Sequence, residues 1–245
     1  MPTLVDHLFI FMLVVVQPIY GAVSYNHYVR LVEAGEKPDR VAHYRETLVV
    51  EWAALAALAL VWWWFGRTAD GLGFSMPGGT GFWIGCGIIL LMTVLLFWSW
   101  HKVIVMSEQD RAKQLDSLGK LIHFLPRPGR EFNYFVGLSI TAGVVEEIIY
   151  RGFLFWYLSQ YVPLWAAILL SSVAFGLAHT YQGLAGGVRT GLIGVAFAVL
   201  YVTSGSIWLP ILGHALLDIL QGAMVIELFR RPPVEAEAHD EKASA

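Results

Sequence analysis

Residues 82–100 read FWIGCGIILLMTVLLFWSW, a run of nineteen residues without a charged side chain. A second uncharged run covers residues 162–178. Each run is close to the roughly 20 residues that a helix needs to cross the ~30 Å hydrocarbon core of a bilayer. Because lipid offers the backbone no hydrogen bonds, a crossing segment must satisfy its own peptide groups as a helix. These runs predict an all-α, polytopic integral membrane protein.

The same pattern recurs along the chain and predicts a bundle of about seven transmembrane helices. Over the whole chain 57% of the residues are hydrophobic and 14% are charged, against roughly 25% charged in a soluble domain. Tryptophans cluster near the ends of the apolar runs, where amphipathic rings favour the headgroup level. The predicted spans are Thr3–Val23, Leu48–Phe65, Phe82–Trp100, Phe132–Leu158, Val162–Ala178, Gly187–Val202 and Ile207–Phe229.

The chain divides into three predicted parts. Residues 1–131 contain the first three helices and their loops, residues 132–230 form a second helical part, and residues 231–245 are predicted to be a disordered cytoplasmic tail. Before the fourth span, Leu115, Leu118 and Ile122 recur at helical spacing among charged residues and predict an interfacial helix. Glycines at positions 183, 187 and 191 predict close packing of the sixth span against a neighbouring helix.

The basic residues predict the orientation. All but two of the 16 Lys and Arg residues fall on one side of a seven-span topology; Arg67 lies opposite and Arg151 lies within a helix. Since cytoplasmic loops carry the excess of Lys and Arg, we expect the amino terminus outside and the carboxyl tail in the cytoplasm of a plasma or inner membrane. The first 23 residues lack a basic n-region and a small-residue cleavage site, so they are expected to remain as a helix.

Two composition features exclude other classes. The net charge of −3 gives no indication of a nucleic-acid partner. The single cysteine, Cys86, allows neither a disulfide framework nor a thiolate metal site.

Ionisable residues inside the predicted spans are concentrated in the second half of the chain. A charge in hydrocarbon costs at least ~2.5–3.5 kcal/mol on insertion scales, so such residues indicate function. Asp6, His7 and Glu51 lie nearer to predicted span ends and are interpreted as interfacial. The intramembrane set is Glu146, Glu147 and Arg151 in the fourth span, His179 at the end of the fifth, and His214 and Asp218 in the seventh.

Helical geometry sorts these residues. Glu147 and Arg151 are four apart and can pair on one face. Glu146 is rotated about 100° from Glu147 and has no partner on its own helix. His214 and Asp218 also share a face. A structural ion pair, or a histidine at the interface, could explain any one of them, but their concentration in three of seven spans predicts one polar pocket.

Such a pocket contains the groups needed to hydrolyse an amide. A carboxylate in apolar surroundings can act as a general base on water, and a histidine can orient that water or protonate the leaving nitrogen. A further donor would face the developing oxyanion. Two alternatives come from other classes: a proton-relay or transport protein, because intramembrane Glu, Asp and His also form proton paths, and a catalytically silent scaffold that binds a peptide.

At these residues the sequence resembles the CPBP family of intramembrane proteases, which includes the type II CAAX prenyl endopeptidases and the bacterial Abi proteins linked to bacteriocin processing and self-immunity. The family pattern is Glu-Glu-x-x-x-Arg, then Phe-x-x-x-His, then His-x-x-x-Asn or Asp on successive helices. All three motifs occur in order, at residues 146–151, 175–179 and 214–218. The resemblance implies an intramembrane endopeptidase, a hydrolase whose partners are the lipid bilayer and a peptide or protein substrate that is prenylated or otherwise membrane-anchored.

The resemblance also implies a role for each motif residue. Glu146 would activate the water together with His179, whereas His214 and residue 218 would form the oxyanion site. The implied catalytic residues are Glu146, His179, His214 and Asp218, and the supporting pair is Glu147 with Arg151.

No cofactor is expected to be required, although zinc is an alternative. The chain has no His-Glu-x-x-His motif. Glu146, His179 and His214 would nevertheless suffice for a three-ligand zinc site with one open position. Asp218 stands where the family commonly has Asn, and an ionised carboxylate cannot donate to an oxyanion. Asp218 must therefore be protonated, or orient His214 from behind, or bind a metal.

Overall fold

The computed structural model describes residues 1–75 and 78–230, and it is a bundle of helices. The predicted disordered tail, residues 231–245, lies outside the described residues. In chain order the main helices are α1 (Leu4–Glu33), α2 (Arg40–Trp64), α3 (Gly79–Ile104), α4 (Glu108–Ser117), α5 (Arg130–Leu158), α6 (Leu164–Ala178), α7 (Leu184–Ser204) and α8 (Trp208–Phe229).

Six of these helices are long and apolar enough to cross a membrane: α1, α2, α3, α5, α7 and α8. The shorter apolar helix α6 is the seventh. Within the described residues no strand occurs. The prediction of an all-α, polytopic bundle with about seven transmembrane helices is therefore confirmed, and the protein is a multi-pass membrane protein.

Several helices extend beyond their predicted ends. α1 continues to Glu33 and α2 starts at Arg40, eight residues before the predicted start of that span. The start of α2 is capped, because the Asp39 carboxylate accepts a hydrogen bond from the Val41 amide at 2.9 Å. The predicted ends were placed where the apolar runs meet polar residues. In the structure the helices continue beyond those ends through further helical turns made of polar residues.

The predicted interfacial helix is shorter than its apolar spacing indicated. α4 begins after Ser107, whose hydroxyl accepts from the Asp110 amide at 3.2 Å, and it ends at Ser117. Gly119 follows with φ of 51°, in the left-handed region, and a 3₁₀ turn covers Gly119–His123. The left-handed residue interrupts the helix, so Ile122 does not lie on it.

Helix α5 forms the centre of the bundle. In its most apolar window 56% of the residues are buried, against 11% in each of α1, α2 and α3. It packs against α2 on one side and α8 on the other. Large apolar side chains of the outer helices, such as Trp64, Leu90 and Leu192, are exposed on the surface of the bundle, as expected for contact with lipid.

Glycines allow α6 and α7 to approach each other closely. A Cβ atom at Gly187 would lie 2.9 Å from the Gly176 carbonyl oxygen, and one at Gly176 would lie 3.1 Å from the Gly191 Cα atom. The predicted glycine packing is confirmed at these positions. Gly183 differs, because it precedes α7 with φ of 87° and its missing Cβ faces open space. It serves the turn and not the packing.

If all seven helices cross the membrane, successive loops lie on alternate sides of it. The contacts between helix ends agree with this alternation. On one side the Ile207 amide, before α8, donates to the Gly73 carbonyl, before α3, at 2.9 Å. On the other side Lys120 pairs with Glu33 at 3.0 Å, so the loop before α5 lies beside the end of α1. Which of these sides is cytoplasmic stays a prediction from the basic residues.

Asp6, interpreted from the sequence as an interfacial residue, is enclosed within the bundle. Its carboxylate is fully buried and accepts two hydrogen bonds from the Arg67 guanidinium, at 2.8 and 2.6 Å. The Arg67 guanidinium also lies 4.5 Å from the ring centroid of Trp156. Arg67 is the basic residue that the charge count leaves on this side of the membrane, and it ties α1 to the loop after α2.

Candidate active site

Helix α5 changes from α-helical to π-helical hydrogen bonding directly after Glu147. The π segment, Ile148–Leu154, is buried along its whole length. Such segments insert an extra residue into one turn and occur often at functional sites. The apolar pattern of the sequence predicted a continuous α-helix here, and one additional residue in one turn leaves no distinct periodicity by which it could be recognised.

The Glu147 carboxylate connects two helices. Its Oε1 atom accepts from Arg151 Nη1 at 2.9 Å and from His214 Nδ1 at 2.8 Å. Glu147, Arg151 and His214 are 0%, 1% and 5% exposed. Since a carboxylate only accepts hydrogen bonds, His214 carries its Nδ1 proton toward Glu147 and presents Nε2 to the opposite side.

The Arg151 guanidinium makes two further contacts. Its Nη2 atom donates to the Gly194 carbonyl of α7 at 3.3 Å. It also lies 4.3 Å from the ring centroid of Phe175 on α6. The ion pair predicted between Glu147 and Arg151 is thus present, and it joins α5 to α6, α7 and, through His214, to α8.

Glu146 points away from this ion pair. Its Oε2 atom is buried and has no hydrogen-bond partner among the described residues. The nearest ring nitrogens are His179 Nε2 at 3.8 Å and His214 Nε2 at 4.0 Å. These distances exceed direct hydrogen bonds, and they are short enough for one water molecule to contact the carboxylate and an imidazole together.

His179 is oriented by the residue four positions before it. It stands at the carboxyl end of α6, and its Nδ1 atom lies 2.8 Å from the Phe175 carbonyl oxygen. A carbonyl oxygen only accepts, so the proton is on Nδ1 and the Nε2 lone pair faces Glu146. The Phe-x-x-x-His spacing therefore has a physical reason. The carbonyl of Phe175 sets the tautomer of His179, and the phenyl ring of Phe175 packs against the Arg151 guanidinium.

Asp218 lies on the Nε2 side of His214. Its Oδ2 atom is 3.6 Å from that nitrogen, and its side chain is 34% exposed. The Nδ1 side of the ring is occupied by Glu147. The sequence-based alternative in which Asp218 orients His214 from behind does not fit this arrangement, because Glu147 has that position.

The structure thus brings all six predicted site residues together. We call this set the polar cluster: Glu146, Glu147, Arg151, His179, His214 and Asp218. Tyrosine side chains lie around it. The Tyr150 hydroxyl is buried without a partner in the described part of the chain, and burial raises the pKa of the Tyr181 hydroxyl beside the charges of Glu146 and Asp218. Tyr181 therefore remains a neutral group at the edge of the cluster.

The structure places Glu51, interpreted from the sequence as an interfacial residue, beside the polar cluster. It lies near the middle of α2, and its buried Oε2 atom has no hydrogen-bond partner within residues 1–75 and 78–230. Its charge interacts with those of Glu146, His214 and Asp218. The predicted span began at Leu48, which placed Glu51 at a helix end. Asp39 is a suitable N-cap residue, and this signal in the sequence could have predicted a helix that starts at Arg40. Glu51 would then have been predicted to lie well inside the helix.

The side chains of the polar cluster also bear on the zinc alternative. In residues 1–75 and 78–230, no group of three or more His, Cys, Asp or Glu side chains has the arrangement of a metal site. The alternative zinc ligands Glu146, His179 and His214 are close to one another but do not meet that arrangement. A reaction without a required cofactor stays a prediction, which measurement of bound zinc in active protein can test.

Comparison with known proteins shows which of them are similar to the part of the chain that contains this site. Residues 128–220 match the family described as Type II CAAX prenyl endopeptidase Rce1-like. A protein of Bacillus subtilis (strain 168) named "Putative membrane peptidase YdiL" is 34% identical over 92 residues, which cover 38% of this chain and 37% of that protein. The chain therefore aligns with little more than a third of that relative. No solved structure matches the chain.

The matched segment contains the complete polar cluster. Segment 128–220 is similar to the Rce1-like CAAX prenyl endopeptidases, and the resemblance drawn from the three motifs is confirmed. The alternative of a proton-relay or transport protein is not favoured by these comparisons.

The two adjacent glutamates should differ in their effect on stability. Glu147→Gln leaves the buried Arg151 guanidinium without its counter-ion, and breaking a buried pair in this way costs about 3 kcal/mol or more. Glu146→Gln should change stability little, because Glu146 Oε2 makes no hydrogen bond. Thermal unfolding of both purified variants in detergent measures the difference. Equal shifts in the unfolding temperature would contradict this division.

Proposed function

We propose that the protein is an intramembrane endopeptidase that cleaves a membrane-associated or lipidated peptide or protein with a water molecule activated by Glu146 and His179. One observation carries the proposal. The buried, unpartnered Oε2 atom of Glu146 faces the Nε2 atoms of His179 and His214, at 3.8 and 4.0 Å. A carboxylate without a cation of its own is free to accept a proton.

In the first step the water molecule attacks the scissile carbonyl carbon. Glu146 takes one proton from the water, and the new C–O bond converts the carbonyl into a tetrahedral oxyanion. His179 orients the water through Nε2, because its Nδ1 proton is held by the Phe175 carbonyl. Positioned base assistance of this kind contributes typically 10²–10⁴-fold to the rate.

The oxyanion would face the Nε2 atom of His214. In its imidazolium form His214 donates from Nε2, while its Nδ1 proton stays with Glu147. Asp218, beside the same Nε2 atom, donates only when it is protonated. Preorganised donors at this position stabilise the charge as it develops.

In the second step the C–N bond breaks. The proton held by Glu146 passes to the leaving nitrogen, which gives an amine and a carboxylic acid and returns Glu146 to its carboxylate form. No covalent enzyme intermediate is needed, and no further reactant beyond water is consumed.

The substrate class is proposed from the membrane setting and the family. The matching family is described by its CAAX prenyl endopeptidases, so a prenylated CAAX peptide is one candidate. A bacteriocin leader and another membrane-anchored peptide are compatible with the same chemistry. The positive-inside distribution further supports an orientation with the carboxyl terminus in the cytoplasm and the amino terminus outside.

Glu146→Gln should abolish proteolysis and leave the bundle folded. The change keeps the size of the side chain and removes its basicity, so residual activity should be at most about a hundredth of wild type. Membranes incubated with and without the purified protein, followed by terminal-peptide mass spectrometry, first identify a substrate. Cleavage of that substrate by wild type and variant is then compared, with equal unfolding temperatures of the two proteins as the control for folding. An active Glu146→Gln protein would exclude Glu146 as the base.

Asp218→Asn should preserve or raise activity. An amide can donate to the oxyanion at any pH, whereas Asp218 must first be protonated. A mechanism in which Asp218 binds zinc gives the opposite result, with lower activity and lower metal content. Activity, together with bound zinc measured by mass spectrometry, separates the two. Stoichiometric zinc in active protein, with loss of activity on chelation and recovery on zinc addition, would overturn the metal-free mechanism.

A further inference from the structure

Glu51 is an ionisable residue with a buried carboxyl oxygen that the proposed mechanism does not use. It lies on α2, outside the segment 128–220 that matches the peptidase family. Its Oε2 atom is buried without a hydrogen-bond partner among the described residues. A buried carboxyl oxygen that has no partner costs free energy, so its presence in the middle of a membrane helix needs an explanation.

The packing of α2 places Glu51 beside the polar cluster. Helix α2 packs directly on α5, and the next residue, Trp52, donates from Nε1 to Thr141 Oγ1 of α5 at 3.2 Å. Glu51 lies within electrostatic range of Glu146, His214 and Asp218. The titratable groups facing it from the elements around it are Glu146 and Tyr150 on α5, His214 and Asp218 on α8, and Tyr181 in the turn after α6.

With Glu51 included, negative charge exceeds positive charge in this part of the protein. Four carboxyl groups, those of Glu51, Glu146, Glu147 and Asp218, stand against one permanent cation, Arg151. Even if both imidazoles were protonated, one negative charge would be left over. Like charges in a low-dielectric site cannot all ionise, so at least one carboxyl group must hold a proton.

The contacts distinguish which carboxyl group that is. Glu147 accepts from Arg151 and His214, which fixes it as a carboxylate. Asp218 lies 3.6 Å from His214 Nε2. Glu146 must be ionised to act as the proposed base. Glu51 has no cationic partner among its hydrogen bonds and ion pairs in the described residues, so its negative charge would be the least compensated of the four.

We propose that Glu51 is a positioning residue of the peptidase site, whose neutral carboxyl group keeps a second negative charge away from Glu146 and from the developing oxyanion. This inference rests on the proposed function. It assigns to the first half of the chain a part in the chemistry of the second half. When Glu51 ionises at alkaline pH, the added charge opposes the oxyanion and slows the reaction.

Glu51→Gln tests this role because glutamine has nearly the shape of the neutral carboxyl group and cannot ionise. The measurement is kcat as a function of pH for wild type, for Glu51→Gln and for a matched control, Glu46→Gln. Glu46 lies on the same helix with its side chain 55% exposed. Wild type and control should lose activity on the alkaline side. Glu51→Gln should match wild type near neutral pH and retain about tenfold more activity at the alkaline end, equivalent to a limb shifted by about one pH unit.

Two outcomes would overturn the inference. A Glu51→Gln profile that superposes on wild type would show that Glu51 does not set the charge of the site. A loss of activity as complete as that of Glu146→Gln would assign Glu51 a direct catalytic role instead. A purely structural role would lower the unfolding temperature without moving the alkaline limb, which also counts against the proposal.

A second measurement does not depend on peptidase activity. Dicyclohexylcarbodiimide enters membranes and reacts with protonated carboxyl groups; the acid adds across the N=C=N unit, and the product rearranges to a stable N-acylurea. Mass spectrometry should find this adduct on Glu51 at neutral pH, with less labelling as pH rises, and no adduct on Glu46. No adduct on Glu51 at any pH would contradict a proton held there. A wild-type protein that has no peptidase activity but is still labelled at Glu51 would contradict the proposed function and not the protonation of Glu51.

Discussion

The carboxylate of Glu147, shared between Arg151 and His214, is the interaction on which the arrangement of the site depends. It is fully buried, and it accepts from α5 and α8 with the same oxygen atom. Through Arg151 the network reaches the Gly194 carbonyl on α7 and the Phe175 ring on α6. A single charge of either sign would be costly in the membrane. Glu147, Arg151 and His214 are therefore kept in contact, because separating them would leave a buried charge without a partner. The register of four helices is set by this one group of contacts.

The same interaction separates the roles of two neighbouring glutamates. Because Glu147 is engaged with Arg151 and His214, the side chain one position earlier faces a different direction, and its Oε2 atom makes no hydrogen bond among the described residues. Glu147 also fixes the tautomer of His214, so that Nε2 faces Glu146 and Asp218. His179 receives the equivalent orientation from the Phe175 carbonyl. Both imidazoles therefore present the same nitrogen to the same small volume, which is the arrangement that the proposed attack by water requires.

Much of this could be predicted from local spacing in the sequence. Uncharged runs gave the helices, the four-residue interval gave the pair of Glu147 and Arg151, and the 100° rotation separated Glu146 from it. The bond from His214 to Glu147 could not be predicted, since it depends on the register between α5 and α8. The π segment after Glu147 was missed because one extra residue in a turn leaves no periodic signal. The position of Glu51 beside the polar cluster could not be predicted either, because it depends on how α2 packs on α5.

The central claim is that Glu146 acts on water as a base and forms no covalent bond with the substrate. Single-turnover cleavage of an identified substrate in heavy-oxygen water tests this most directly, because the position of the label records which carbon the water attacked. If Glu146 activates the water, one heavy-oxygen atom should appear in the new carboxyl group of the product, and the peptide that contains Glu146 should remain unlabelled. Heavy oxygen in the Glu146 side chain would indicate an acyl-enzyme anhydride and would contradict the mechanism.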